Sequence, residues 1–332
     1  MPDQPLVSVC VPTFNAEPWV RAMVQSVLDQ THERFELVIS DGGSSDATRA
    51  LLEEYKDPRI RWEFSAQRLP AIENWNRSVL LATGDYVKFL HQDDTLVPTC
   101  IEEMLALARE DPGIELVFGG REIVLDESAG ADELVWVERY GNLHSRFDAL
   151  ERVNEGYSLF RQMLDAELVE NWIGEPSSVM VTRAGLARAG LFNLRMRQVM
   201  DLDLWCRVML GSRVGFVDRV LSAYRHHHDS MTGRNARSSL DWLDRVWLFE
   251  GLLAENLADP ERKKVEELRR SALRVATRAQ AGRIARGRFS GELVHYGLYR
   301  ARAAIGVAPP ICPRLPDALP DRRNGRAVES VV

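Results

Sequence analysis

The fold is decided by residues 6–46, which read LVSVCVPTFNAEPWVRAMVQSVLDQTHERFELVISDGGSSD. Leu6–Pro12 is a short apolar run rich in valine and ended by proline, which is typical of a buried strand. Apolar residues then recur at helical spacing in Trp19–Leu28, and Phe35–Ser40 is a second strand closed by the turn Asp41-Gly42-Gly43. A strand, a helix and a second strand in this order predict a βαβ unit with parallel strands.

The same alternation continues to about residue 118. The pattern predicts strands at Ile60–Phe64, Asp85–Leu90 and Glu115–Phe118, and helices at Ala71–Ala82 and near Val97–Arg109. Such alternation indicates an α/β fold with a mixed, mainly parallel sheet flanked by helices. Ligands of these sheets bind outside the carboxyl ends of the strands. Asp41 after the second strand and Asp93-Asp94 after the fourth both fall there.

The rest of the chain is less regular. Asp126–Asp148 is polar and weakly periodic and is predicted to be a loop or excursion. Later patterns predict helices at Gly156–Leu168 and Asp201–Leu210, a strand at Ser177–Thr182, two short strands within Arg213–Arg225, and helices from Ser238 onward. We therefore expect a catalytic domain over 1–235, with a donor half at about 1–118 and an acceptor half at about 119–235. A helical C-terminal extension over 236–305 and a disordered tail over 306–332, rich in Pro and Arg, complete the chain.

Composition excludes several classes of protein. The chain has 332 residues, 45% hydrophobic and 27% charged, which suits an ordinary globular protein. Its four cysteines lie far apart, which argues against a structural zinc site or a disulfide framework and favours buried thiols. No run approaches the roughly 18–20 apolar residues of a membrane span, and the N-terminus lacks the pattern of a signal peptide, so we expect a cytoplasmic protein.

Charge is distributed unevenly. The formal net charge is −7, yet residues 261–302 carry twelve Lys and Arg against four Asp and Glu. The acidic remainder argues against nucleic-acid binding. The basic segment has two interpretations: a solvated helical face, or a contact for an anionic membrane surface that would make the protein peripheral at the inner face of the membrane.

The adjacent carboxylates Asp93 and Asp94 are the strongest chemical signal. Two ionised groups so close repel each other and are best tolerated where a cation neutralises them. Mg²⁺ and Mn²⁺ favour such oxygen ligands together with substrate phosphate oxygens. The alternative is that both residues cap a helix starting near Leu96.

Together, VSVCVPTFNAEPWVRAMVQSVLDQTHERFELVISDGGSSDAT and the later ATGDYVKFLHQDD resemble the family 2 glycosyltransferases with the GT-A fold. The resemblance is close over about Leu6–Pro98 and looser over Asn171 to about Thr232. It implies a Rossmann-like GT-A fold and an inverting enzyme of the hexosyltransferase type. The donor would be a UDP-, GDP- or dTDP-sugar, the metal Mn²⁺ or Mg²⁺, and the acceptor a hydroxyl of a glycan or a lipid-linked glycan in surface polysaccharide biosynthesis.

The resemblance also implies roles for residues near the donor. Pro12, Thr13 and Asn15 would line the nucleotide pocket, and Asp41 would bind the base or ribose; a turn-forming aspartate is the alternative for Asp41. Arg68 would touch the diphosphate, unless it is only an exposed loop arginine. The metal is assigned chiefly to Asp94, with Asp93 toward the donor sugar or ribose. Many relatives have a third acidic residue at the position of His91, which here either ligates metal or phosphate or only packs at the strand end.

A second motif, Val199–Arg207, resembles the acidic motif that supplies the general base in inverting members of the family. Asp201 occupies the position of the base, which would take the proton of the acceptor hydroxyl. Met200 replaces the usual glutamate. The alternative for Asp201 is a plain helix N-cap, and Asp203 is interpreted as a first-turn charge that complements the helix dipole.

A third motif, Tyr224–Ser230, contains three consecutive histidines. In an extended strand His226 and His228 share one face and His227 the other. The resemblance places Arg225 near the diphosphate as a phosphate clamp and His227 near the metal. The segment Asn171–Ser178 matches the part of the family that faces the acceptor, where Trp172 would stack on a sugar and Glu175 would bind its hydroxyls. A buried tryptophan and a loop glutamate are the alternatives.

Two other classes of protein compete with a transferase. The departures at His91 and Met200 favour a catalytically inactive nucleotide-sugar or glycan-binding protein of the same fold. A nucleotidyltransferase also uses a parallel sheet and paired carboxylates, but the glycine-rich basic segment expected after its first strand is missing. The chain also lacks a P-loop and a GxGxxG turn, which disfavours NTP hydrolysis and dinucleotide chemistry. The oligomeric state does not follow from the sequence.

Overall fold

The structure, a computed structural model, describes residues 4–125, 130–227, 241–285, 291–304 and 312–315. Up to residue 108 the chain alternates between strands and helices as the sequence predicts. The elements are β1 (Val7–Thr13), α1 (Val20–Leu28), β2 (Phe35–Asp41), α2 (Thr48–Glu53), β3 (Ile60–Phe64), α3 (Ala71–Leu81), β4 (Tyr86–Phe89), β5 (Thr95–Leu96) and α4 (Cys100–Ala108). The predicted strand at Ile60–Phe64 matches to the residue.

The donor half of the sheet is parallel. Strands β3, β2, β1 and β4 are neighbours in that order, and every pair among them is parallel. β2 is buried at all seven positions, which explains why its sequence is a nearly continuous apolar run. Because the strands share one direction, Thr13, Asp41 and the loop after Phe89 meet at one edge of the sheet.

The acceptor half adds antiparallel strands. Its elements are β6 (Ile114–Leu125), α5 (Ala131–Tyr140), β7 (Val153–Glu155), α6 (Gly156–Asp165), β8 (Val179–Thr182), α7 (Arg183–Ala189), α8 (Met200–Met209) and β9 (Arg213–His226). β8 is antiparallel to both β4 and β6, and β9 runs parallel to β6. The predicted α/β fold with a mixed sheet flanked by helices is confirmed.

The prediction of a loop over Asp126–Asp148 is wrong for most of its length. Residues 126–129 lie outside the described residues, but α5 and a short 3₁₀-helix, Leu143–Arg146, occupy much of the remainder. The helix is held by contacts from far along the chain. The Trp136 ring stacks on His226 at a centroid distance of 4.2 Å, and the Arg121 guanidinium donates to the carbonyls of Tyr140 and Gly141.

The prediction of two short strands within Arg213–Arg225 is also corrected, because β9 is a single strand. Its pairing with β6 shifts register around Gly119 and Gly120. A Cβ on Gly119 would lie 2.6 Å from Leu221 Cδ1, so glycine permits the close approach of the two strands there. This irregularity breaks the alternation of side chains and makes one strand look like two in the sequence.

The predicted C-terminal helices are confirmed as α9 (Asp241–Leu253), α10 (Asp259–Ala285) and α11 (Glu292–Ala304). They share one buried cluster with the acceptor half, which includes Trp205 of α8, Val246 of α9 and Val265 of α10. The predicted tail falls mainly outside the described residues. Residues 312–315 are described and pack on the domain: the Leu191 amide donates to the Pro313 carbonyl at 2.8 Å.

Candidate active site

Three loops meet at the carboxyl edge of the parallel strands. They follow β1 at Thr13, β2 at Asp41 and β4 at His91–Asp94. Gln92 joins two of them, because its side-chain oxygen accepts from the Phe14 amide at 2.7 Å and its amide group donates to the Phe14 carbonyl at 3.3 Å. The first and third loops are therefore held together by two hydrogen bonds.

Asp41 is the centre of the loop after β2. One carboxylate oxygen accepts from the amides of Gly43 and Ser44, and the other accepts from the hydroxyls of Ser44 and Thr13, at 2.5–3.0 Å. The side chain is 2% exposed. Four donors fill the acceptor capacity of a carboxylate. The geometry favours the turn-forming alternative over direct contact between this carboxylate and a base or ribose.

The turn after β1 exposes backbone groups beside Asp41. Asn15 has a φ of 50°, in the left-handed region that asparagine tolerates. Its side-chain oxygen accepts from the Ser45 amide at 2.9 Å, which ties this turn to the loop after β2. Pro12 is partly exposed and Thr13 is buried. Arg68 is exposed and lies over the Phe14 ring, with its guanidinium carbon 4.7 Å from the ring centroid.

Asp93 and Asp94 have different surroundings. Asp94 has a side chain 0% exposed and accepts from the Ser177 hydroxyl at 2.5 Å and from the Arg225 amide at 2.8 Å, one on each carboxylate oxygen. Asp93 is partly exposed, and its carboxylate lies 3.0 Å from His227 Nε2. The helix-cap alternative for the pair is wrong, because Thr95–Leu96 form β5 and α4 begins only at Cys100.

The site has the donor set of a divalent cation. His91, Asp93 and Asp94 each offer one ligand atom, and these three atoms lie within 4.8 Å of one another. Nε2 of His91 is buried and has no hydrogen-bond partner among the described residues. Burial disfavours the charged imidazole, but the neighbouring carboxylates, Asp94 foremost and then Asp93 and Glu175, together raise the pKa of His91. Oxygen and imidazole ligands beside an unsatisfied ring nitrogen fit a Mn²⁺ or Mg²⁺ ion.

Two of the predicted histidines can be placed. His227 packs on Trp19, with ring centroids 4.7 Å apart, and faces Asp93. His226 lies on the other side of β9 against Trp136, so the two side chains point in opposite directions as the strand pattern predicts. His228 lies outside the described residues. The Arg225 guanidinium donates to the Asp93 carbonyl at 3.3 Å, so its side chain and its amide both hold the acidic loop.

Asp201 is the second residue of α8 and is partly buried. The N-cap of this helix is Val199, so Asp201 is not the cap. One carboxylate oxygen accepts from Asn171 Nδ2 at 3.0 Å and the other from the Leu202 amide at 2.8 Å. Burial, with a smaller contribution from the Glu175 charge, raises the pKa of Asp201 to about 6. A carboxyl with this pKa is ionised at neutral pH and is a competent general base.

The two neighbours of Asp201 in the motif are structural. Met200 is 3% exposed and packs in the core. Asp203 lies in the first turn of α8 as predicted, but it is 0% exposed and forms a buried ion pair with Arg207 at 2.7 Å. Arg207 also donates to the Leu191 carbonyl, which fastens α8 to the segment after α7.

The two residues predicted to face the acceptor are held by neighbouring side chains. Trp172 is half-buried against Phe147 in an edge-to-face contact, with centroids 5.2 Å apart. Both carboxylate oxygens of Glu175 contact the guanidinium of Arg121, whose side chain is 3% exposed. A bidentate pair of this kind fixes the orientation of the carboxylate. Glu175 therefore presents a rigid, charged edge beside Asp201.

Ser177 and Lys88 connect the donor and acceptor sides and were missed by sequence reasoning. Lys88 is 0% exposed and donates to the carbonyls of Phe89 and Ser177 at 2.8 and 2.5 Å. Burial lowers the pKa of Lys88 to about 8. The Ser177 hydroxyl also accepts from the His91 amide at 2.9 Å. A lysine inside the apolar run DYVKFL was the available signal, since a buried strand seldom carries an unexplained charge.

Comparisons with known proteins agree on a family. A family model for glycosyl transferase family 2 matches residues 8–165. An uncharacterised protein of Mycobacterium tuberculosis (strain CDC 1551 / Oshkosh) is 35% identical over 257 residues, which cover 77% of this chain and 78% of the relative. A putative teichuronic acid biosynthesis glycosyltransferase of Bacillus subtilis is 25% identical over 239 residues, covering 71% of this chain and 85% of the relative. This chain belongs to glycosyltransferase family 2.

Solved structures share the fold of this glycosyltransferase. Residues 1–349 of S. aureus TarS in complex with UDP-GlcNAc align with a TM-score of 0.60 at 18% identity, covering 80% of this chain and 71% of that fragment. A mannosyltransferase of Pyrobaculum calidifontis in complex with GDP-Man and Mn²⁺ aligns with a TM-score of 0.54 at 17% identity, covering 93% and 83%. Among the described residues, no helix has the length and apolar character needed to span a bilayer.

Proposed function

We propose that this glycosyltransferase transfers a sugar, with inversion, from a nucleoside diphosphate donor to a hydroxyl of a glycan or lipid-linked acceptor in surface polysaccharide biosynthesis. The observation that carries the proposal is Asp201, a partly buried carboxyl with a pKa of about 6 beside the acidic loop of the donor side. The charge of His91 acts on both Asp93 and Asp201. The acidic loop and Asp201 are therefore close enough for one charge, that of His91, to act on both.

Asp201 is the general base in this proposal. Its carboxylate takes the proton of the acceptor hydroxyl while that oxygen attacks the anomeric carbon and the nucleoside diphosphate leaves. Attack on the face opposite the leaving group inverts the anomeric centre. Asn171 donates a hydrogen bond to Asp201 and keeps the carboxylate directed into the site.

We assign Asp93 as the principal metal ligand, with His91 and Asp94 completing the group whose ligand atoms lie within 4.8 Å of one another, and with His227 beside Asp93. The sequence assignment gave this role chiefly to Asp94, but the Asp94 side chain is 0% exposed and each of its oxygens accepts one hydrogen bond, so a cation would reach Asp93 more readily. Asp93 is partly exposed and lies 3.0 Å from His227. A divalent cation bound there would act as a Lewis acid that stabilises the leaving diphosphate.

The donor is a nucleoside diphosphate sugar, carrying UDP, GDP or dTDP. Pro12, Thr13 and Asn15 would line the nucleotide with backbone groups, and Asp41 would act by shaping that loop. Arg68, over the Phe14 ring, and the guanidinium of Arg225, beside the acidic loop, would approach the diphosphate. The complexes of the structural neighbours with UDP-GlcNAc and GDP-Man support this class of donor, and the relative named for teichuronic acid biosynthesis supports a surface glycan as product.

A donor panel tests the proposal. The protein is incubated with Mn²⁺, each nucleotide sugar and an extract of lipid-linked and oligosaccharide acceptors. Release of nucleoside diphosphate is followed, and products are identified by mass spectrometry. We expect acceptor-dependent release with at least one donor, abolished by EDTA. Donor binding without release or transfer for every donor would favour the inactive binding protein instead.

We also propose contact with an anionic membrane surface through one face of α10. Arg270, Arg274 and Arg278 are exposed at four-residue spacing and form what we call the basic face. Within the described residues, no acidic side chain forms a salt bridge with them. Ile284, six residues after Arg278 in the same helix, is 51% exposed. Exposed arginines together with an apolar side chain suit the headgroup region of anionic lipid.

A further inference from the structure

Helix α9 contacts both segments that frame Asp201. Two consecutive residues make these contacts, Asp244 and Arg245. Asp244 accepts from the amides of Arg197 and Gln198 at 2.8 and 2.7 Å. Arg245 donates to the carbonyls of Leu168 and Val169 at 3.3 and 2.9 Å.

The segment held by Asp244 leads directly into α8. The N-cap of α8, Val199, has no side chain that accepts a hydrogen bond, so the helix start is not fixed by its own residues. The Asp244 carboxylate is 3% exposed and takes its hydrogen bonds from the backbone just before this start. Asp201 lies two residues beyond Val199, so a shift of this backbone moves the carboxylate of Asp201 with it.

The segment held by Arg245 leads to Asn171, which donates a hydrogen bond to Asp201. Glu167 and Leu168 have φ values of 61° and 54°, a left-handed conformation that is unfavourable for these residues. Arg245 binds the carbonyls at and after this strained turn. Asn171 follows three residues after Leu168 and donates to the Asp201 carboxylate at 3.0 Å. The turn therefore sets the position of the hydrogen-bond donor that orients Asp201.

Helix α9 also lies unusually close to α8. A Cβ on Gly251 of α9 would lie 3.0 Å from Asp203 Oδ1, so a residue larger than glycine would press against the buried ion pair of α8. Val246, Leu248 and Leu252 of the same helix are 0% exposed. Tight packing of this kind transmits small displacements rather than absorbing them.

We propose that Asp244 and Arg245 are positioning residues. They hold Asp201 and Asn171 in the relative position that Asp201 needs to take the proton of the acceptor hydroxyl. The C-terminal helices then belong to the catalytic unit, although the family match ends at residue 165. This inference rests on the proposed role of Asp201 as the base.

The test uses the full chain with Asp244→Ala, Asp244→Asn and Arg245→Met. Displacement of a catalytic group by an ångström can cost about 100-fold in rate. We expect Asp244→Ala to lower kcat for transfer by about 10- to 100-fold while the donor Kd changes by less than about twofold. Asparagine keeps an oxygen acceptor, so Asp244→Asn should recover most of kcat. Arg245→Met should lower kcat in the same way, and this variant tests the proposal if Asp244→Ala does not fold.

Glu250→Gln is the matched control on the same helix. Glu250 faces the other C-terminal helices, where it accepts from Tyr296 and pairs with Arg269 and Arg300. Its replacement should lower the Tm and leave kcat unchanged. Equal losses of kcat for Glu250→Gln and Asp244→Ala, or an unchanged kcat in Asp244→Ala and Arg245→Met, would overturn the inference. Asp201→Asn separates the two proposals: an active Asp201→Asn defeats the base assignment, whereas an inactive Asp201→Asn beside a fully active Asp244→Ala defeats only the positioning role.

Discussion

Replacing Asp201 with asparagine is expected to make the protein more stable and inactive at the same time. Folding raises the pKa of Asp201 from an ordinary 3.8 to about 6. At pH 8 the folded state therefore holds an ionised carboxylate at a cost of about 3 kcal/mol relative to the unfolded chain. Because the side chain remains partly exposed, water offsets part of this cost. Asparagine carries no charge, so we expect a gain of about 1–2 kcal/mol.

The pH dependence has a definite sign. A carboxyl whose pKa is raised by folding favours the folded state only while it is protonated, so its contribution is full below about pH 4 and is lost as the pH rises through about 6. The unmodified protein and Asp201→Asn should therefore unfold at the same temperature at pH 4. They should differ by about 2–4 °C at pH 8. Turnover of the unmodified enzyme should fall as the pH drops below about 6, where the base becomes protonated.

Thermal unfolding followed by circular dichroism from pH 4 to 8, together with transfer kinetics, makes the measurement. Asp203→Asn is the control, because it removes a neighbouring buried carboxylate that is paired with Arg207. Breaking such a pair costs about 3–5 kcal/mol, so this variant should be less stable at pH 8. The reasoning is refuted if Asp201→Asn melts below the unmodified protein at pH 8, or if it keeps its turnover.

Three further results are expected. Asp93→Asn should abolish stimulation of activity by Mn²⁺ with little change in Tm, whereas Asp94→Asn should lower the Tm by several degrees. If only Asp94→Asn loses the stimulation by Mn²⁺, and its Tm is unchanged, Asp94 and not Asp93 is the principal ligand. Arg121→Met frees Glu175 and should raise the acceptor KM about tenfold with the donor Kd unchanged; a donor defect would contradict this assignment. Replacing all three arginines of the basic face by glutamine should weaken co-sedimentation with anionic vesicles on the order of 100-fold. If the unmodified protein shows no salt-sensitive binding to these vesicles, the basic face is only a solvated helical face.

The donor half could be predicted closely because its local and global signals agree. Each strand there is a short apolar run, each helix has a periodic face, and turn residues separate them. Helix α5 could not be predicted in this way. Its stability comes from the stacking of Trp136 on His226 and from the bonds of Arg121 to its last carbonyls. Such contacts join residues far apart in sequence and leave no periodic trace.

The chemistry of the acidic pair shows the same limit within one motif. Two adjacent aspartates look equivalent in a sequence, and spacing relative to a strand end does not say which one faces a ligand. The difference arises from Ser177 and Arg225, which lie 83 and 131 positions from Asp94 and supply one hydrogen bond to each of its oxygens. Asp94 is fully buried and is held to both of these residues, so its carboxylate stabilises the loop, whereas the partly exposed Asp93 faces His227. The role of each aspartate is therefore decided by the acceptor half of the chain, which folds over the donor motif and completes it.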